Sequence, residues 1–345
     1  MQKRLFATLV GAAMVLPVAA WADSISPSSF SATLSVGESV TVHKTVTIDR
    51  EATTSMGDVF FLADTTSSMN SPIGNVITNA STILSNLAGK GDIQYAVGDY
   101  RDFVNDPYAY NLGQSMTNSQ AEAQTAINKW SASGGGDWPE AELYALSQLA
   151  TNPGSGWRAG AARFVVWFGD APGHDPSGGA TLASTIADLN AMNIHVLAID
   201  VGKMDYYGQA LAIATGTGGA YYSGSADVSG TILAALATAF DTYSDLSIDT
   251  GDAPAGVGVA VAPGSYSGAF DRSIERTFDF DVTFTGVTPG DYTFDIYGTL
   301  DYGRVAIERD HITVTGATVP EPGTMILLGS GLLGLSGFAR LKHAA

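Results

Sequence analysis

The chain has 345 residues, of which 45% are hydrophobic and 14% are charged, and its formal net charge is -18. This composition predicts a globular protein with room for two domains rather than a disordered chain. The strong negative charge excludes nucleic acid as a natural partner and favours cations. Since the chain contains no cysteine, its stability cannot come from disulfides.

The first residues of the chain have the pattern of a cleaved secretory signal. Lys3 and Arg4 precede an apolar stretch that ends in an Ala-x-Ala pattern, with Ala20 and Ala22 on either side of Trp21. A basic start, an apolar centre and a small-residue exit are typical of a signal peptide. We therefore predict that residues 1–22 are removed and that the protein is exported, with a short membrane anchor as the alternative.

Residues 23–52 have the pattern of β-strands, because apolar and polar side chains alternate along them. The apolar positions are Val40, Val42, Val46 and Ile48. One charged residue, Lys44, interrupts that face. A lone pair of strands is only marginally stable, so this segment needs partner strands elsewhere in the chain.

Residues 53–245 alternate between apolar strands and helical patterns, which predicts an α/β domain with a mostly parallel sheet flanked by helices. Continuous apolar runs at 164–168 and 194–201 indicate strands that are buried on both faces. Apolar residues at helical spacing predict a series of helices, and the last of them spans residues 228–243.

Polar residues stand at three separated points along this domain, next to the predicted strands and helices. They are Asp64, Thr66 and Ser68 after the strand 59–63, Asp137, Pro139 and Glu140 before a helix, and Asp170 after the strand 164–168. Ligands of an open α/β sheet bind beyond the carboxyl ends of its strands, so all three groups can reach one edge. Taken singly, the hydroxyls could merely cap a helix, and so could Asp137.

Taken together and in this order, these residues resemble the metal ion-dependent adhesion site of von Willebrand factor type A (VWA) domains. The resemblance covers residues 57–245 and implies a Rossmann-like VWA fold, inserted in a β-sandwich or followed by one. It also implies a Mg²⁺ ion, or Mn²⁺ or Ca²⁺ in its place, held by Asp64, Thr66, Ser68, Glu140 and Asp170. Hydroxyl ligands add no charge, so a metal with about six oxygen positions can keep one open for a partner's carboxylate.

The integrin β-subunit version of this site implies a second cation, Ca²⁺, beside the first. The matching ligands here are Asp102, Asp137, the carbonyl of Pro139 and Glu140. Gly135 stands where that version has an asparagine. A third neighbouring site is not expected, because its acidic residues are replaced by Asn70, Ser71 and Pro72.

The resemblance predicts a binding or adhesion protein rather than an enzyme, with a surface protein or an exopolysaccharide as the carboxylate-bearing partner. Trp138 and Tyr100 could anchor that partner at the rim of the site, or could simply pack. One alternative is a metal-dependent hydrolase of surface polymers in which His174 and Asp175 assist the cation. Another is a structural matrix protein in which the metal only stiffens the fold.

Residues 246–318 alternate with a period of two, as expected for a sheet with one solvated face. The shared apolar face carries Phe278, Phe280, Val282 and Phe284. We predict that this segment and residues 23–52 form one small β-sandwich, with the VWA domain at 53–245 inserted between them. An independent carboxyl-terminal sandwich with a loose amino-terminal arm is the alternative.

Residues 319–345 form a tail of three parts. In order, these are a Pro-Glu-Pro segment at 320–322, an uncharged apolar run at 324–339 and a basic end at 340–343. The tail resembles the PEP-CTERM sorting signal of bacterial surface proteins, which implies cleavage by an exosortase-type membrane enzyme. The apolar run is a short transmembrane span, below the roughly 20 residues of a comfortable one. We expect a protein of the bacterial cell surface or extracellular matrix that meets the membrane only through this tail, with a simple tail anchor as the alternative.

Overall fold

The computed structural model describes residues 23–50, 55–103, 106–223 and 227–316, and these residues form a mixed α/β structure. The strands are β1 (Ser24–Ser26), β2 (Ser29–Ser35), β3 (Ser39–Ile48), β4 (Ser55–Asp64), β5 (Gly91–Tyr100), β6 (Tyr110–Thr117), β7 (Ala162–Gly169), β8 (Ile194–Asp200), β9 (Ala220–Ser223), β10 (Thr242–Asp249), β11 (Val257–Ala262), β12 (Ser265–Asp271), β13 (Arg276–Gly286), β14 (Gly290–Leu300) and β15 (Gly303–Thr315). The helices are α1 (Asn70–Ala88), α2 (Gln120–Ile127), α3 (Glu142–Thr151), α4 (Leu182–Ala191), α5 (Gln209–Gly216) and α6 (Val228–Asp241).

The central sheet has six strands in the order β6-β5-β4-β7-β8-β9. Only β6, at one edge, runs antiparallel to its neighbour, and the other pairs are parallel. Side chains of α1, α2 and α6 share a core with one face of the sheet, and those of α3, α4 and α5 share a core with the other. This arrangement confirms the predicted sheet flanked by helices.

The strand β4 shows why the apolar runs of this domain are continuous. Successive side chains of a strand point to opposite faces, and Phe61 packs in one core while Phe60 and Leu62 pack in the other. Both faces of β4 are therefore buried by helices. The apolar run ends at Asp64, where the strand reaches the edge of the two cores.

The remaining strands form two packed sheets that enclose a third core. One has the order β1-β3-β13-β11 and the other the order β12-β10-β14-β15-β2. Strand β3 pairs antiparallel with β13, and β2 pairs parallel with β15. Strands from the beginning of the described chain thus share both sheets with strands from its end.

Several details differ from the sequence prediction. The helix predicted over 228–243 ends at Asp241, because Tyr243 already belongs to β10 and packs in the sandwich core. The edge strand β6 was not predicted, since its half-buried side chains give no strong alternation. Lys44 lies on the apolar face of β3, as the alternation predicts, but it is fully buried there, which the sequence pattern did not predict.

The two predicted terminal segments lie outside the described residues. They are the signal peptide at 1–22 and the sorting tail at 319–345. Within the described ranges, none of the helices combines the length and the apolar character that crossing a membrane requires.

We expect Arg158→Ala to destabilise the α/β domain by about 3–5 kcal/mol, because it removes the guanidinium that pairs with the buried carboxylate of Asp58. Asp58 is fully buried and accepts hydrogen bonds from the backbone N–H and the Nε of Arg158, both at 2.7 Å. Burial raises the pKa of Asp58, and these bonds oppose the shift. The midpoint of urea unfolding measures the loss.

The control for this experiment is Arg309→Ala on β15. Arg309 also pairs with a carboxylate, that of Asp295 at 2.9 Å, but its side chain is 69% exposed. Exposed pairs contribute little to stability, so the midpoint should stay close to that of the wild type. Equal losses in the two variants would contradict the assignment.

Candidate metal centre

Three loops meet at the carboxyl end of the central sheet. Strand β4 lies between β5 and β7, with Asp64 opposite Tyr100 on β5 and Ala63 opposite Phe168 on β7. The loops that follow these strands therefore begin side by side. The backbone N–H of Thr65 donates to the carbonyl of Tyr100 at 2.9 Å and joins the first two loops.

A chain of hydrogen bonds connects the predicted ligands that follow β4 with the predicted ligand that follows β7. The carboxylate oxygen Oδ1 of Asp64 accepts from the N–H of Thr66 at 2.8 Å and from its hydroxyl at 2.7 Å. The hydroxyl oxygens of Thr66 and Ser68 lie 3.4 Å apart, and Ser68 donates to Oδ1 of Asp170 at 2.9 Å. The structure thus places these four side chains, from two distant loops, around one point.

Glu140 lies in the loop before α3, which pairs with the loop that follows β7. Its backbone N–H donates to the carbonyl of Pro172, and its carbonyl accepts from the N–H of His174, both at 2.9 Å. These bonds fix Glu140 against the loop that carries Asp170. A Cβ on Gly135 would lie 3.1 Å from Cβ of Thr66 and 3.2 Å from Oε1 of Glu140, so Gly135 is in close contact with both residues.

The site concentrates carboxylates where water is excluded. Oδ2 of Asp64 and Oε2 of Glu140 are buried and receive no hydrogen bond from any residue that the structure describes. Burial raises the pKa of Asp64 to about 7, and the charge of Asp170 adds to the shift. Burial, followed by the charges of Asp64 and Asp102, raises the pKa of Glu140 to about 8.

The same residues fit a hard divalent cation. A positive charge at their centre would reverse the penalty of burying ionised carboxylates. The donor set consists only of carboxylate and hydroxyl oxygens, which suits Mg²⁺, Mn²⁺ or Ca²⁺ rather than a metal that prefers sulfur or nitrogen. The unpartnered oxygens of Asp64 and Glu140 are the atoms that such an ion would satisfy.

A second acidic cluster lies beside the first site. Ligand atoms of Asp102, Asp137 and His174 all lie within 4.8 Å of one another. Nε2 of His174 is 3.3 Å from Oδ1 of Asp102 and 4.0 Å from Oδ1 of Asp137. A hydrogen bond with Asp102 is the main cause that raises the pKa of Asp137.

The structure therefore brings together two of the side chains expected around a second cation, Asp102 and Asp137, and adds His174. The sequence suggests a role for His174 only in a metal-dependent hydrolase, because His174 lies far from Asp102 in the chain. Pro139 and Glu140 continue the loop that carries Asp137.

Other residues support the site without having been predicted. Asp99 is buried and accepts hydrogen bonds from the hydroxyl of Thr65 and the side-chain amide of Asn111, both at 2.9 Å. Nε of Arg101 donates to the same Thr65 hydroxyl at 3.2 Å. Glu142 is fully buried, and burial raises its pKa well above the ordinary value. Only its spacing two residues after Glu140 could have drawn attention to it.

Exposed aromatic side chains stand next to the second cluster. Trp138, Tyr206 and Tyr207 are 45%, 62% and 55% exposed. Their ring centroids are 5.1 to 5.9 Å apart in all three pairs. Tyr100, in contrast, is fully buried and accepts a hydrogen bond from Nε1 of Trp167 at 3.0 Å, so it packs and does not line the rim.

The sheet, its helices and the site define an α/β protein of the VWA class. The family model of the von Willebrand factor A domain matches residues 58–236, more than half of the chain, and the chain belongs to this family. The model of the PEP-CTERM protein-sorting motif matches residues 318–341. The chain is thus an exported protein with a VWA domain and a carboxyl-terminal sorting tail of the kind that exosortases process.

Comparison with solved structures finds matches at low sequence identity. A von Willebrand factor type A protein from Catenulispora acidiphila is 16% identical, with a TM-score of 0.43 over 88% of this chain and 74% of that one. Proximal thread matrix protein 1 from the mussel byssus is 18% identical, with a TM-score of 0.43 over 59% of this chain and 48% of that one. No curated protein sequence matches the chain.

The raised pKa of Asp64 predicts that the metal-free protein loses stability as the pH rises. The pKa of Asp64 is about 7 in the folded state, against the usual 3.8, so protonation of Asp64 favours the folded state. This contribution to stability is complete below pH 3.8 and is lost as the pH rises through about 7. Asp64→Asn removes this cost, and we expect a gain of up to about 4 kcal/mol near pH 8 in EDTA. Urea unfolding with EDTA, compared between about pH 5 and about pH 8, measures the change.

Added Mg²⁺ should restore the stability of the wild type at the higher pH and should not affect Asp64→Asn. Asp281→Asn is the matched control, because this carboxylate on β13 is 59% exposed. It should change neither response. A loss of stability in Asp64→Asn that is equal at both pH values would contradict the electrostatic account.

Proposed function

We propose that the VWA domain holds a divalent cation, Mg²⁺ or in its place Mn²⁺ or Ca²⁺, through Asp64, Thr66, Ser68, Glu140 and Asp170. We propose further that the exported protein uses this ion to bind a carboxylate of a partner at the cell surface. The observation that carries the proposal is the convergence of three loops on buried carboxylate oxygens that no described residue satisfies. A cation supplies what these oxygens lack.

The ligands explain why such an ion would remain available to a partner. Thr66 and Ser68 contribute hydroxyls, which add no negative charge, and Ser68 lies at the exposed side of the site. An ion bound partly by neutral oxygens stays electrophilic and exchanges a water for another oxygen ligand. Binding would then depend on the cation and be reversible by chelation.

The second cluster supports a further cation, Ca²⁺, held by Asp102, Asp137, the carbonyl of Pro139 and Glu140. His174, with Nε2 3.3 Å from Oδ1 of Asp102, would orient that carboxylate from outside the coordination shell. A second positive charge would also lower the cost of burying Glu140, whose pKa is raised in part by the charge of Asp102.

The aromatic cluster of Trp138, Tyr206 and Tyr207 favours an acidic exopolysaccharide over a surface protein as the partner. Exposed aromatic rings offer apolar faces that can stack on sugar rings, with polar groups at their edges. Trp138 directly follows Asp137, so one polymer could reach both the rings and the ion. Since the protein carries a net charge of -18, an acidic polymer would bind only through a bridging cation.

We propose a domain organisation with the VWA domain at 53–245 inserted in a β-sandwich formed by residues 23–52 and 246–318. The pairing of β3 with β13 and of β2 with β15 supports this division. A signal peptide at 1–22 would direct export. The tail at 319–345 would be the point of exosortase processing and the link to the membrane.

We expect the wild type to bind immobilised polyuronate in Mg²⁺ and to be released by EDTA. Asp64→Ala should abolish this binding by removing a direct carboxylate, whereas Asp281→Ala, with the same charge change on β13, should bind as the wild type does. Neutral dextran is the polymer control. Equal capture of wild type and Asp64→Ala, with and without EDTA, would end the proposal.

Trp138→Ala should weaken polyuronate binding in Mg²⁺ roughly tenfold or more, since a central aromatic anchor contributes at least about 1–2 kcal/mol. Its metal affinity, measured by calorimetry, should not change. If Trp138→Ala bound the polymer as the wild type does, and the wild type captured a protein from a surface extract, the partner would be a protein and not a polysaccharide.

A metal-dependent hydrolase is the second candidate, favoured by the position of His174 at 3.3 Å from Asp102. A histidine beside a cation can act as ligand or base. We expect His174→Ala to keep Mg²⁺-dependent polyuronate binding, with no shortening of the polymer by either protein. Shortening by the wild type and not by the variant, followed by size-exclusion chromatography, would establish hydrolysis instead.

The third hypothesis, a structural matrix protein, predicts a different result when the metal is removed. If metal only stiffens the fold, chelation would lower the melting temperature and leave binding to every surface polymer unchanged. We expect chelation to affect both.

A further inference from the structure

A charged cluster lies inside the β-sandwich, apart from the metal site. It consists of Lys44 on β3 and Glu308 and Asp310 on β15, and all three side chains are completely buried. Charged residues are almost never fully buried unless they are paired, and lysine is among the rarest. This cluster therefore requires an explanation beyond stabilising the core.

The lysine amine is in direct contact with one of the two acids. Nζ of Lys44 touches Oε1 of Glu308, and Oδ1 of Asp310 lies 3.9 Å from the same nitrogen. The rings of Phe30 and Phe284 enclose the amine, with centroids 5.6 and 5.5 Å from it. Amine, carboxyl group and second acid are thus held together in an apolar space.

An ion pair alone is a poor account of this arrangement. Two carboxylates share one ammonium, so the buried cluster would carry a net negative charge. Oε2 of Glu308 and both carboxylate oxygens of Asp310 receive no hydrogen bond from the described part of the chain. Buried ion pairs are tolerated when additional hydrogen bonds satisfy the remaining oxygens, and otherwise apolar residues are usually more stable.

We propose that Lys44 and Glu308 condense within the folded protein to form an amide cross-link between their side chains, with Asp310 as the group that moves the protons. The cross-link would replace a buried ammonium and a buried carboxylate by one neutral amide. No cofactor, oxidant or second protein is needed, because the reacting groups are already in contact.

The atoms of the reaction balance with water as the only by-product. A proton first passes from the ammonium of Lys44 to Glu308, which leaves an uncharged amine beside an uncharged carboxylic acid. The amine nitrogen attacks the carboxyl carbon of Glu308, and Asp310 accepts the proton that the nitrogen loses. Asp310 then returns this proton to the hydroxyl group, the C–O bond breaks and water leaves.

The environment of Asp310 suits a group that both accepts and donates a proton. Burial, followed by the charge of Glu308, raises the pKa of Asp310 to about 7. A general acid–base group works best when its pKa lies near the ambient pH. The apolar surroundings also exclude the water that would reverse the condensation.

The cross-link would join the two sheets of the sandwich. Lys44 belongs to the sheet of β3 and β13, whereas Glu308 belongs to the sheet of β15 and β2. The two residues are 264 positions apart, so the covalent loop would enclose the whole α/β domain. In a chain without cysteine, such a bond would restrict the unfolded state as a disulfide does.

Intact mass spectrometry of the purified full chain under denaturing conditions tests the proposal. We expect the wild type to be lighter than its sequence by one water molecule. Proteolysis and fragmentation should then give a branched peptide that joins Lys44 to Glu308. A wild type of unchanged mass in a folded preparation, or a branched peptide that joins Lys44 to Asp310, would overturn the proposal.

Two variants separate the cross-link from a simple ion pair. Lys44→Arg keeps the positive charge but has no amine that forms the amide, so it should have its full sequence mass and a lower melting temperature. Asp310→Asn keeps Lys44 and Glu308 but cannot relay protons, so most molecules should lack the cross-link. Loss of water in either variant to the extent seen in the wild type would also overturn the proposal.

Discussion

The position of β4 between β5 and β7 is the constraint on which the rest of the structure depends. Parallel neighbours end at the same edge of the sheet, so the loops after these strands must start within hydrogen-bonding distance of one another. Residues that are 102 positions apart, Ser68 and Asp170, are joined in this way at 2.9 Å. Helices cover both faces of the sheet and leave this edge as the place where polar groups can gather.

Charged side chains are buried at two places in the molecule, and the surroundings of the two clusters differ. At the sheet edge, Asp64 and Glu140 are buried but lie beside the exposed Ser68, so an ion from solvent can reach them. In the sandwich, Glu308 and Asp310 are sealed between two sheets with Lys44. A cation from solvent could neutralise the carboxylates of the first cluster. The carboxylates of the second cluster can interact only with groups that the cluster already contains.

Much of the α/β domain could be predicted because its signals are local. Continuous apolar runs identify strands that are buried on both faces, and the polar residues directly after β4 and β7 identify the edge of the sheet that carries the candidate site. Weakly patterned elements escaped prediction, such as β6 with its half-buried residues. So did the aromatic cluster, since Tyr206 and Tyr207 lie far from Trp138 in the chain and meet it only across two loops.

The sequence by itself determined the alternation of strands and helices, the residue types at the candidate metal site and the sorting tail, because each can be recognised in short local stretches of the chain. The tertiary structure decided which distant residues share one place. It brought His174 to Asp102, packed Tyr100 inside and buried Lys44 against Glu308. The periodicity of β3 shows which face Lys44 occupies, but only the packing of a second sheet shows that this face is closed to water.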